Sequence, residues 1–468
     1  MNVVVICCDT LRADVVHHTH PEQVETPHLD RLRAQSSIFT NAWAEGLPTI
    51  PMRRCFYTGV RSYPWRYHVD DRGSFPNMYG WHAIPTGHTT VAERLVPQGV
   101  MTGLIADVYH MFKPTMNFTR GFLSWRFIRG QESDPYRTGP LSKIDLRRVL
   151  PDELATPEKR PGMAQYLLNV LDRQREEDYF AAQVFRTAAQ WLEENRENRP
   201  FLLWIESFTP HEHWDPPPYY ADRYFSKPGV RDFIYPQMVQ NFRPLTEDEV
   251  RRTKALYYGY VTFLDRWIGY FLDALEASGL WDETAILLLS DHGTELMDHD
   301  RFGKSGAALH PYNTQILCWL RHPDASLNGK EISAFVQATD VAPTILSLFG
   351  VSHEPLDGYD LLPLLRGEVS AYRDHVVIGW GGNASIRDER WNLILDTIGP
   401  EAKPRLYDHQ SDPAERENLA ERHPDVVETL RRRLEQLLGG PIPTRYTHRP
   451  QSQYPLRLGH WLESNLSR

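Results

Sequence analysis

Acidic and imidazole side chains stand directly after two apolar runs of the chain. Asp9 follows the run NVVVICC, and Asp291-His292-Gly293 follows the run AILLLS. A carboxylate beside an imidazole suits a divalent metal ion, and the glycine allows a sharp turn of the backbone. For each residue alone, a plain capping role is about equally expected. Together, at the ends of two predicted strands, they favour a metal site.

A hydroxyl and two guanidinium groups are combined in the segment TIPMRR, residues 49–54. If a helix begins near Pro51, Thr49 lies at its N-terminus. Free N–H groups and the positive end of the helix dipole favour an anion there. The alternative is an ordinary N-cap threonine followed by two solvated arginines, Arg53 and Arg54. This segment alone leaves both explanations open.

The sequence predicts a scaffold that would bring these distant residues together. Apolar, strand-sized runs alternate along the chain with segments of helical periodicity. The runs lie at 2–8, 101–106, 201–205 and 285–289, and the helical segments at 90–95, 166–192 and 255–275. Such alternation is typical of a mostly parallel sheet with helices on both faces, whose ligands bind beyond the carboxyl ends of the strands. Both acidic sites and the loop after residue 205 are therefore expected at one edge.

The chain changes character near its C-terminus. Short strands at 376–380, 390–395 and 405–407 precede a helix at 426–438. We therefore expect a catalytic α/β domain at 1–375, a small α+β subdomain with antiparallel strands at 376–445, and a tail at 446–468. The segments 131–160 and 225–250 are polar and aromatic without a clear period, and are interpreted as lid or substrate loops. The Arg-rich stretch 117–137 fits either a substrate wall or a surface loop.

Composition excludes several classes of protein. Lys and Arg number 51 and Asp and Glu 61, a net charge of −10, which argues against a nucleic-acid binder. No segment reaches the ~18 apolar residues that a membrane helix needs, and no secretory signal is visible, so a cytoplasmic protein is expected. The four cysteines are too few for a disulfide framework. An oligomer is left open.

Several motifs together resemble the sulfatase family of the alkaline phosphatase superfamily, along almost the whole chain. They are NVVVICCDTLRAD, TPHLDRLRAQSSIFTNAWA, TIPMRRCFYTG, FTPHEHWDPP, SDHGTELMDHDRFGK, TDVAPTILSLFGV, DGYDLLPLLRGE and LYDHQSDPAERENLA. No single one is specific, but the set is. The resemblance implies an α/β fold, alkaline-phosphatase-like, with a doubly wound, mostly parallel sheet and a small C-terminal α+β subdomain.

The resemblance also implies roles for individual residues. One divalent ion, Ca²⁺, Mn²⁺ or Mg²⁺, is expected on Asp9, Thr49, Asp291 and His292. The catalytic residues it implies are Thr49 as nucleophile, Arg53 as its partner, His211, His110 and Lys304. His211 or His110 would protonate the leaving oxygen as general acid. Further candidate substrate contacts are His310, which is also a possible second-metal ligand, Arg54 and Lys113.

The chain departs from the family pattern at two points. Sulfatases convert a Cys or Ser to formylglycine, but Thr49 cannot form that aldehyde because its Cβ carries a methyl group, so no formylglycine is expected. Cys55 is no substitute, since Pro and Arg do not follow it at the required spacing. The family's Gly-Lys-Trp-His segment reads DVYH here, so Val108 replaces the lysine. Arg54, Lys113 or Arg12 would then have to supply the missing cation.

Residue chemistry therefore predicts a metal-dependent hydrolase of a small anionic ester. A metal-bound threonine alcohol suits attack on phosphorus, which favours a phosphate diester, phosphate monoester or phosphonate ester. The alternative is an arylsulfatase-like hydrolase of sulfate esters without formylglycine, in which Thr49 only holds the metal while water attacks. A third possibility is a catalytically inactive protein that binds such a ligand.

Overall fold

The computed structural model describes residues 1–65, 78–113, 116–397, 403–442 and 458–466. The strands there are β1 (Asn2–Cys8), β2 (Ser37–Phe39), β3 (Ala42–Trp43), β4 (Gly46–Leu47), β5 (Met101–Ala106), β6 (Ser124–Phe127), β7 (Phe201–Ser207), β8 (Thr284–Ser290), β9 (Glu295–Leu296), β10 (Phe302–Gly303), β11 (Cys318–Arg321), β12 (Glu331–Ile332), β13 (Val336–Gln337), β14 (His375–Trp380), β15 (Asn383–Asp388), β16 (Trp391–Asp396) and β17 (Arg405–Asp408). The helices are α1 (Ala13–Val16), α2 (Pro27–Arg33), α3 (Thr49–Thr58), α4 (Val91–Leu95), α5 (Pro161–Asn169), α6 (Phe180–Glu194), α7 (Pro218–Ala221), α8 (Pro236–Gln240), α9 (Glu247–Ala277), α10 (Pro311–Thr314), α11 (Val341–Leu348), α12 (Leu362–Arg366), α13 (Pro424–Leu438) and α14 (Leu458–Leu466).

An eight-stranded sheet forms the centre of the molecule, in the order β12-β2-β11-β8-β1-β7-β5-β6. The five neighbours β8, β1, β7, β5 and β6 run parallel, and β11 is antiparallel to β8. The last residue of β1, Cys8, is in register with Ser207 of β7 and Ser290 of β8. The carboxyl ends of these three strands therefore lie side by side, and the predicted mostly parallel α/β sheet is confirmed.

Strand β1 is apolar on both faces because it separates two hydrophobic cores. Val3, Val5 and Cys7 pack into one core, with side chains of α3, α4 and α11. The alternate residues of β1 pack into the other core, with α6 and α9. Since successive side chains of a strand point to opposite faces, the continuous run of apolar residues at 3–8 reflects a sheet covered on both sides.

The predicted helix at 166–192 is wrong, because two helices, α5 and α6, replace it. Between them the carboxylate of Asp178 accepts hydrogen bonds from the backbone N–H groups of Gln174 and Arg175. These bonds offer the backbone an alternative to the helical pattern. Helix α9 is longer than predicted, since it begins at a capping box. No helix within the described ranges has both the length and the apolar character that crossing a bilayer requires.

The C-terminal part builds a second sheet, in the order β17-β16-β15-β14-β4. Strands β14 to β17 are antiparallel, and α13 packs on them in a separate hydrophobic core. The sequence did not indicate β15. Strand β4, which directly precedes Pro48 and Thr49, pairs with β14, so this sheet is tied to the start of α3. The division at residue 375 stays a prediction, and most of the predicted tail, residues 446–457, lies outside the described ranges.

Packing between β5 and α6 leaves no room for a side chain at Gly103. A Cβ atom there would lie 2.4 Å from the indole of Trp191, whose Nε1 is held by the hydroxyl of Ser124 at 2.7 Å. We expect Gly103→Ala to lower the free energy of unfolding by about 1–3 kcal/mol, measured by urea denaturation. Gly87→Ala is the control, because no atom lies within 4 Å of its added Cβ. Equal stabilities of the two variants would contradict this account of the packing.

Candidate active site and metal centre

Two carboxylates meet where β1 and β8 end. Asp9 and Asp291 follow residues that are in register, and ligand atoms of Asp9, Asp291 and His292 lie within 4.8 Å of one another. All three side chains are 0% exposed. The Oδ1 atom of Asp291 accepts hydrogen bonds from the backbone N–H groups of Thr10 (3.0 Å) and His292 (2.8 Å). The orientation of Asp291 is thus fixed by the turn itself.

The imidazole of His292 is held so that one nitrogen faces the carboxylates. Its Nδ1 lies 2.9 Å from the carbonyl oxygen of Gly293, so a proton on Nδ1 is donated there. Its Nε2 lies 3.8 Å from Asp9 Oδ1 and 3.6 Å from Asp291 Oδ2. Burial lowers the pKa of His292, which favours the neutral ring. A neutral imidazole whose other nitrogen is anchored in this way is the form that binds metals.

Two buried atoms of this cluster lack a hydrogen bond. His292 Nε2 has no hydrogen-bond partner among the described residues, and Asp9 Oδ2 has only an ion pair with Arg53 Nη1 at 3.0 Å and no hydrogen bond. Buried polar atoms without partners are costly and uncommon. Because both belong to good ligands for a hard divalent cation, the residues present fit a metal ion.

Arg53 places its guanidinium group against the carboxylates of Asp9 and Asp291. Its Nη1 lies 2.6 Å from Asp291 Oδ2 and 3.0 Å from Asp9 Oδ2, and its Nε donates to Glu206 Oε2 at 2.9 Å. All four side chains are fully buried. Three carboxylates and one guanidinium carry a formal charge of −2, which a divalent ion would balance. Without such an ion, burial and the charge of Asp291 raise the pKa of Asp9 well above its usual range.

Thr49 is the first residue of helix α3, so it lies at the helix N-terminus as the sequence predicted. Its backbone carbonyl accepts a hydrogen bond from Arg53 Nη1 at 3.2 Å, and Arg53 in turn contacts Asp291. Thr49 also lines a cavity of about 650 Å³. The start of α3 therefore lies between the buried acidic cluster and the space open to a substrate.

Lys304 links this cluster to the histidine loop that follows β7. Its Nζ donates to Thr10 Oγ1 at 3.1 Å and to Glu212 Oε2 at 2.5 Å, and Thr10 Oγ1 donates to Asp9 Oδ1 at 2.8 Å. Burial alone would raise the pKa of Glu212, but Lys304 lowers it to about 2. Burial, helped by Lys304, lowers the pKa of His211 to about 4. At neutral pH, His211 is therefore unprotonated and Glu212 ionised.

A cavity of about 650 Å³ opens over these residues. Four residues predicted from the sequence line it: Thr49, His110, His211 and Lys304. The two segments predicted to be lid or substrate loops also line the cavity. Segment 131–160 contributes Glu132, Ser133 and Pro135, and segment 225–250 contributes Tyr235, Gln237 and Met238. The remaining lining residues are Pro48, Met78, Trp81, Pro161, Gly162, Gln165, Glu212, His213, Trp380, Leu458, Gly459, His460 and Glu463.

Three predicted substrate contacts lie elsewhere, so the structure gives no support to that role for them. His310 Nδ1 lies 2.8 Å from Glu415 Oε2, because its side chain points to the C-terminal sheet. Arg54 donates to the carbonyl of Gly80 at 2.8 Å. Lys113 lies over the ring of Tyr109. Arg12, the third candidate for the missing cation, is held by Asp14 and Asp298 and lines no part of the cavity.

Sequence reasoning missed several residues of the site. Glu206 binds Arg53, and its oxygens also accept from Trp204 Nε1 at 2.9 Å and Tyr57 OH at 3.2 Å. A glutamate at the end of the otherwise apolar strand FLLWIES was the available signal, since a buried charge needs a charged partner. Glu212 and His213 adjoin the predicted His211, but nothing in the spacing showed that all three line one cavity.

Comparison with known proteins gives consistent results. The family model described as Sulfatase matches residues 1–351, and the model described as N-sulphoglucosamine sulphohydrolase, C-terminal, matches residues 309–439. Arylsulfatase K of Gallus gallus is 24% identical, over 94% of this chain and 83% of its own length. An arylsulfatase of Clostridium perfringens is 24% identical, over 94% of both chains. The solved phosphonate monoester hydrolase of Agrobacterium radiobacter is 20% identical, covers 94% of this chain and 95% of its own, and superposes with a TM-score of 0.70.

Metal binding can be tested without an activity assay. After chelation, Mn²⁺, Ca²⁺ or Mg²⁺ at a hundred times its dissociation constant should stabilise the fold by about 2.7 kcal/mol, seen as a rise in Tm. Asp291→Asn should abolish the rise and the calorimetric binding signal. Asp107→Asn is the matched control, because Asp107 is equally buried at the end of β5 but outside the three-residue cluster. A metal response that survives in Asp291→Asn would reject this site.

The depressed histidines predict a dependence of stability on pH. Burial lowers the pKa of both His211 and His213 from 6.5 to about 4. Between pH 6.5 and pH 4, these histidines are therefore protonated in the unfolded chain but not in the folded chain. The free energy of unfolding is highest above pH 6.5 and falls as the pH falls to 4. Each residue should contribute on the order of 3 kcal/mol to this loss. Urea unfolding across this range should show that the free energy of unfolding depends less steeply on pH in His213→Gln than in the wild type.

Proposed function

The chain belongs to the sulfatase family of ester hydrolases, and we propose that it hydrolyses a sulfate ester in a metal-dependent reaction without formylglycine. The observation that carries the proposal is that Thr49, Lys304 and His211 line one cavity, while Thr49 and Lys304 are joined to the buried Asp9–Asp291–His292 cluster through Arg53 and Thr10. The sulfatase model and the arylsulfatase relatives favour the sulfate ester over the phosphorus ester that residue chemistry alone predicted.

Asp9, Asp291 and His292 would hold the metal ion, with the Thr49 hydroxyl as a further oxygen donor. The fit rests on His292 Nε2, which has no hydrogen-bond partner among the described residues, and on the formal charge of −2 around Arg53. When bound, such an ion supplies positive charge that stabilises the oxygens of the transferred group. Oxygen and imidazole donors suit Ca²⁺, Mn²⁺ or Mg²⁺ alike.

Binding of the anionic group falls to the start of α3 and to Lys304. The free N–H groups and dipole of this ten-residue helix favour an anion beside Thr49. Lys304 brings an ammonium group to the same cavity. It is the lysine that the resemblance already implied, and it is separate from the family lysine that Val108 has replaced.

Proton transfer is assigned by the charge states of the cavity residues. His211 is unprotonated at neutral pH, so it suits taking a proton from the attacking water rather than the proton-donating role expected from the sequence. The Lys304 ammonium would give its proton to the leaving oxygen. The water oxygen forms a bond to sulfur, the bond from sulfur to the organic oxygen breaks, and an alcohol and hydrogen sulfate result.

Thr49 is not the nucleophile in this reaction, because a sulfo-threonine would be difficult to hydrolyse. A second candidate function is hydrolysis of a phosphonate or phosphate ester with the Thr49 hydroxyl as nucleophile. It is favoured by one specific observation: an unmodified alcohol stands at a helix N-terminus within the cavity. The two functions predict different consequences of removing that alcohol.

With sulfate hydrolysed by water, Thr49→Ala should lower kcat/KM for an aryl sulfate by about ten- to hundredfold, because only an oxygen near the metal is lost. If Thr49 is instead the nucleophile, the same change should cost more than about a thousandfold on an aryl phosphonate. Thr49 would then displace the aryl alcohol and carry the phosphonyl group until water releases it, so intact-protein mass spectrometry should detect a phosphonylated wild-type enzyme during turnover and no adduct in Thr49→Ala.

Thr58→Ala is the control, since Thr58 is buried at the other end of the same helix, where its hydroxyl donates to the carbonyl of Arg54 at 2.7 Å and accepts from the backbone N–H of Val60 at 3.2 Å. Thr49→Ser, which keeps the alcohol, should retain most activity. Full activity of Thr49→Ala on every ester would exclude both roles. Absence of turnover of sulfate esters, with turnover of phosphonates and a covalent adduct, would replace the first function by the second.

A further inference from the structure

His213 is a buried imidazole that the proposed reaction does not use. It lines the cavity, its side chain is 5% exposed, and neither of its ring nitrogens has a hydrogen-bond partner among the residues that the structure describes. Leaving both nitrogens of a buried ring unpaired is costly. A group supplied by a ligand would remove this cost.

The ring is held firmly although its nitrogens are unpaired. It stacks on Tyr166, with centroids 4.0 Å apart and an angle of 14° between planes, and Tyr235 lies against it at 5.4 Å. Tyr166 is itself fixed, because its hydroxyl donates to Asp215 Oδ2 at 3.1 Å. A ring clamped in this way presents its nitrogens in one orientation, which reduces the entropy that ligand binding costs.

The part of the cavity around His213 carries no positive charge on the His213 ring. Burial lowers the pKa of His213 to about 4, so at neutral pH the ring has one N–H donor and one acceptor nitrogen and no charge. Glu132, which also lines the cavity, lies with its Oε2 2.6 Å from His110 Nε2, and Lys304 is paired with Glu212. The neutral ring of His213 offers no charge to balance a second anion on the organic part of a substrate.

The rest of the wall is largely apolar. Trp81, Met78, Met238, Leu458 and Trp380 contribute to it. Leu458 and Glu463 belong to α14, so the C-terminal helix completes the cavity from a distant part of the sequence. Such a wall suits an apolar body with few polar groups rather than a highly charged sugar.

We propose that His213 is a substrate-binding residue that hydrogen-bonds a neutral polar group, such as a hydroxyl, on an otherwise apolar organic part of the ester. The inference rests on the proposed function, because it names the substrate class of the same cavity. It adds a specificity contact and excludes substrates that carry a second anion.

The test compares aryl sulfates that differ in one ring substituent: hydroxymethyl, methyl or carboxylate, each at the ortho, meta and para positions. At one position at least, the wild type should prefer hydroxymethyl over methyl by about tenfold in kcat/KM, mainly through KM. The carboxylate ester should be disfavoured against hydroxymethyl by at least the same factor. If the wild type hydrolyses only phosphonates, the same series is made as aryl phosphonates.

His213→Phe keeps a ring against Tyr166 but lacks both nitrogens, so the preference for hydroxymethyl should disappear. His213→Gln, which restores hydrogen bonding without the ring, should recover part of it. His17→Phe is the control, because His17 is also a stacked imidazole with a pKa lowered to about 4 by burial, but it packs on Trp319 outside the cavity lining and its Nε2 accepts a hydrogen bond from Trp319 Nε1. This control should keep both the preference and the basal activity.

The outcomes separate the two hypotheses. Hydrolysis with no hydroxymethyl preference at any position, or a preference that survives in His213→Phe, overturns the role of His213 and leaves the proposed function standing. If no ester is hydrolysed at all, the proposed function fails. Calorimetric binding of the same esters then decides on His213: tighter binding of the hydroxymethyl ester by wild type, but not by His213→Phe, supports the contact, and equal binding rejects it.

Discussion

The repulsion between two buried carboxylates governs the structure of this site. Asp9 and Asp291 are brought together by the register of β1 with β8, and neither is exposed to water. Arg53 offsets only part of their charge, because its Nε is taken by a third carboxylate, Glu206. The cluster is therefore one divalent cation short of neutrality, and a buried group of like charges is stable only when such charge is balanced. The charge balance of the cluster also affects the residues that face the substrate. Thr49 is hydrogen-bonded to Arg53 of the cluster, and Lys304 is hydrogen-bonded to Thr10 beside it.

The position of this cluster was predictable from the sequence, because strand ends are easy to recognise. An acid that follows a buried apolar run has to lie at the carboxyl edge of a parallel sheet, so Asp9 and Asp291 could be placed together without coordinates. The helix at Thr49 was predictable for a similar reason, from the proline two residues later. The break between α5 and α6 was not, because it depends on one local side chain, Asp178, that competes with the helix.

Neighbouring residues in a motif do not necessarily share a site, and helix geometry explains why. Arg53 and Arg54 are adjacent in α3, so their side chains leave the helix about 100° apart. Arg53 reaches the strand ends, whereas Arg54 reaches the carbonyl of Gly80. Conversely, residues far apart in the sequence can share a site. More than 240 residues separate α14 from His213, and no local sequence pattern indicates which surface a terminal helix covers, so its contribution to the cavity was not predictable.

Selectivity in this cavity is divided between two electrostatic environments. At the start of α3, the helix dipole and Lys304 favour a single anionic group. At His213 the ring is neutral, so a second anion placed against it would lose hydration without gaining an opposite charge from this residue. In a confined, largely apolar space, charge effects of this kind are stronger than in water. If His213 acts as proposed, the chain distinguishes substrates less by the anion that it cleaves than by the absence of charge on the alcohol that it releases.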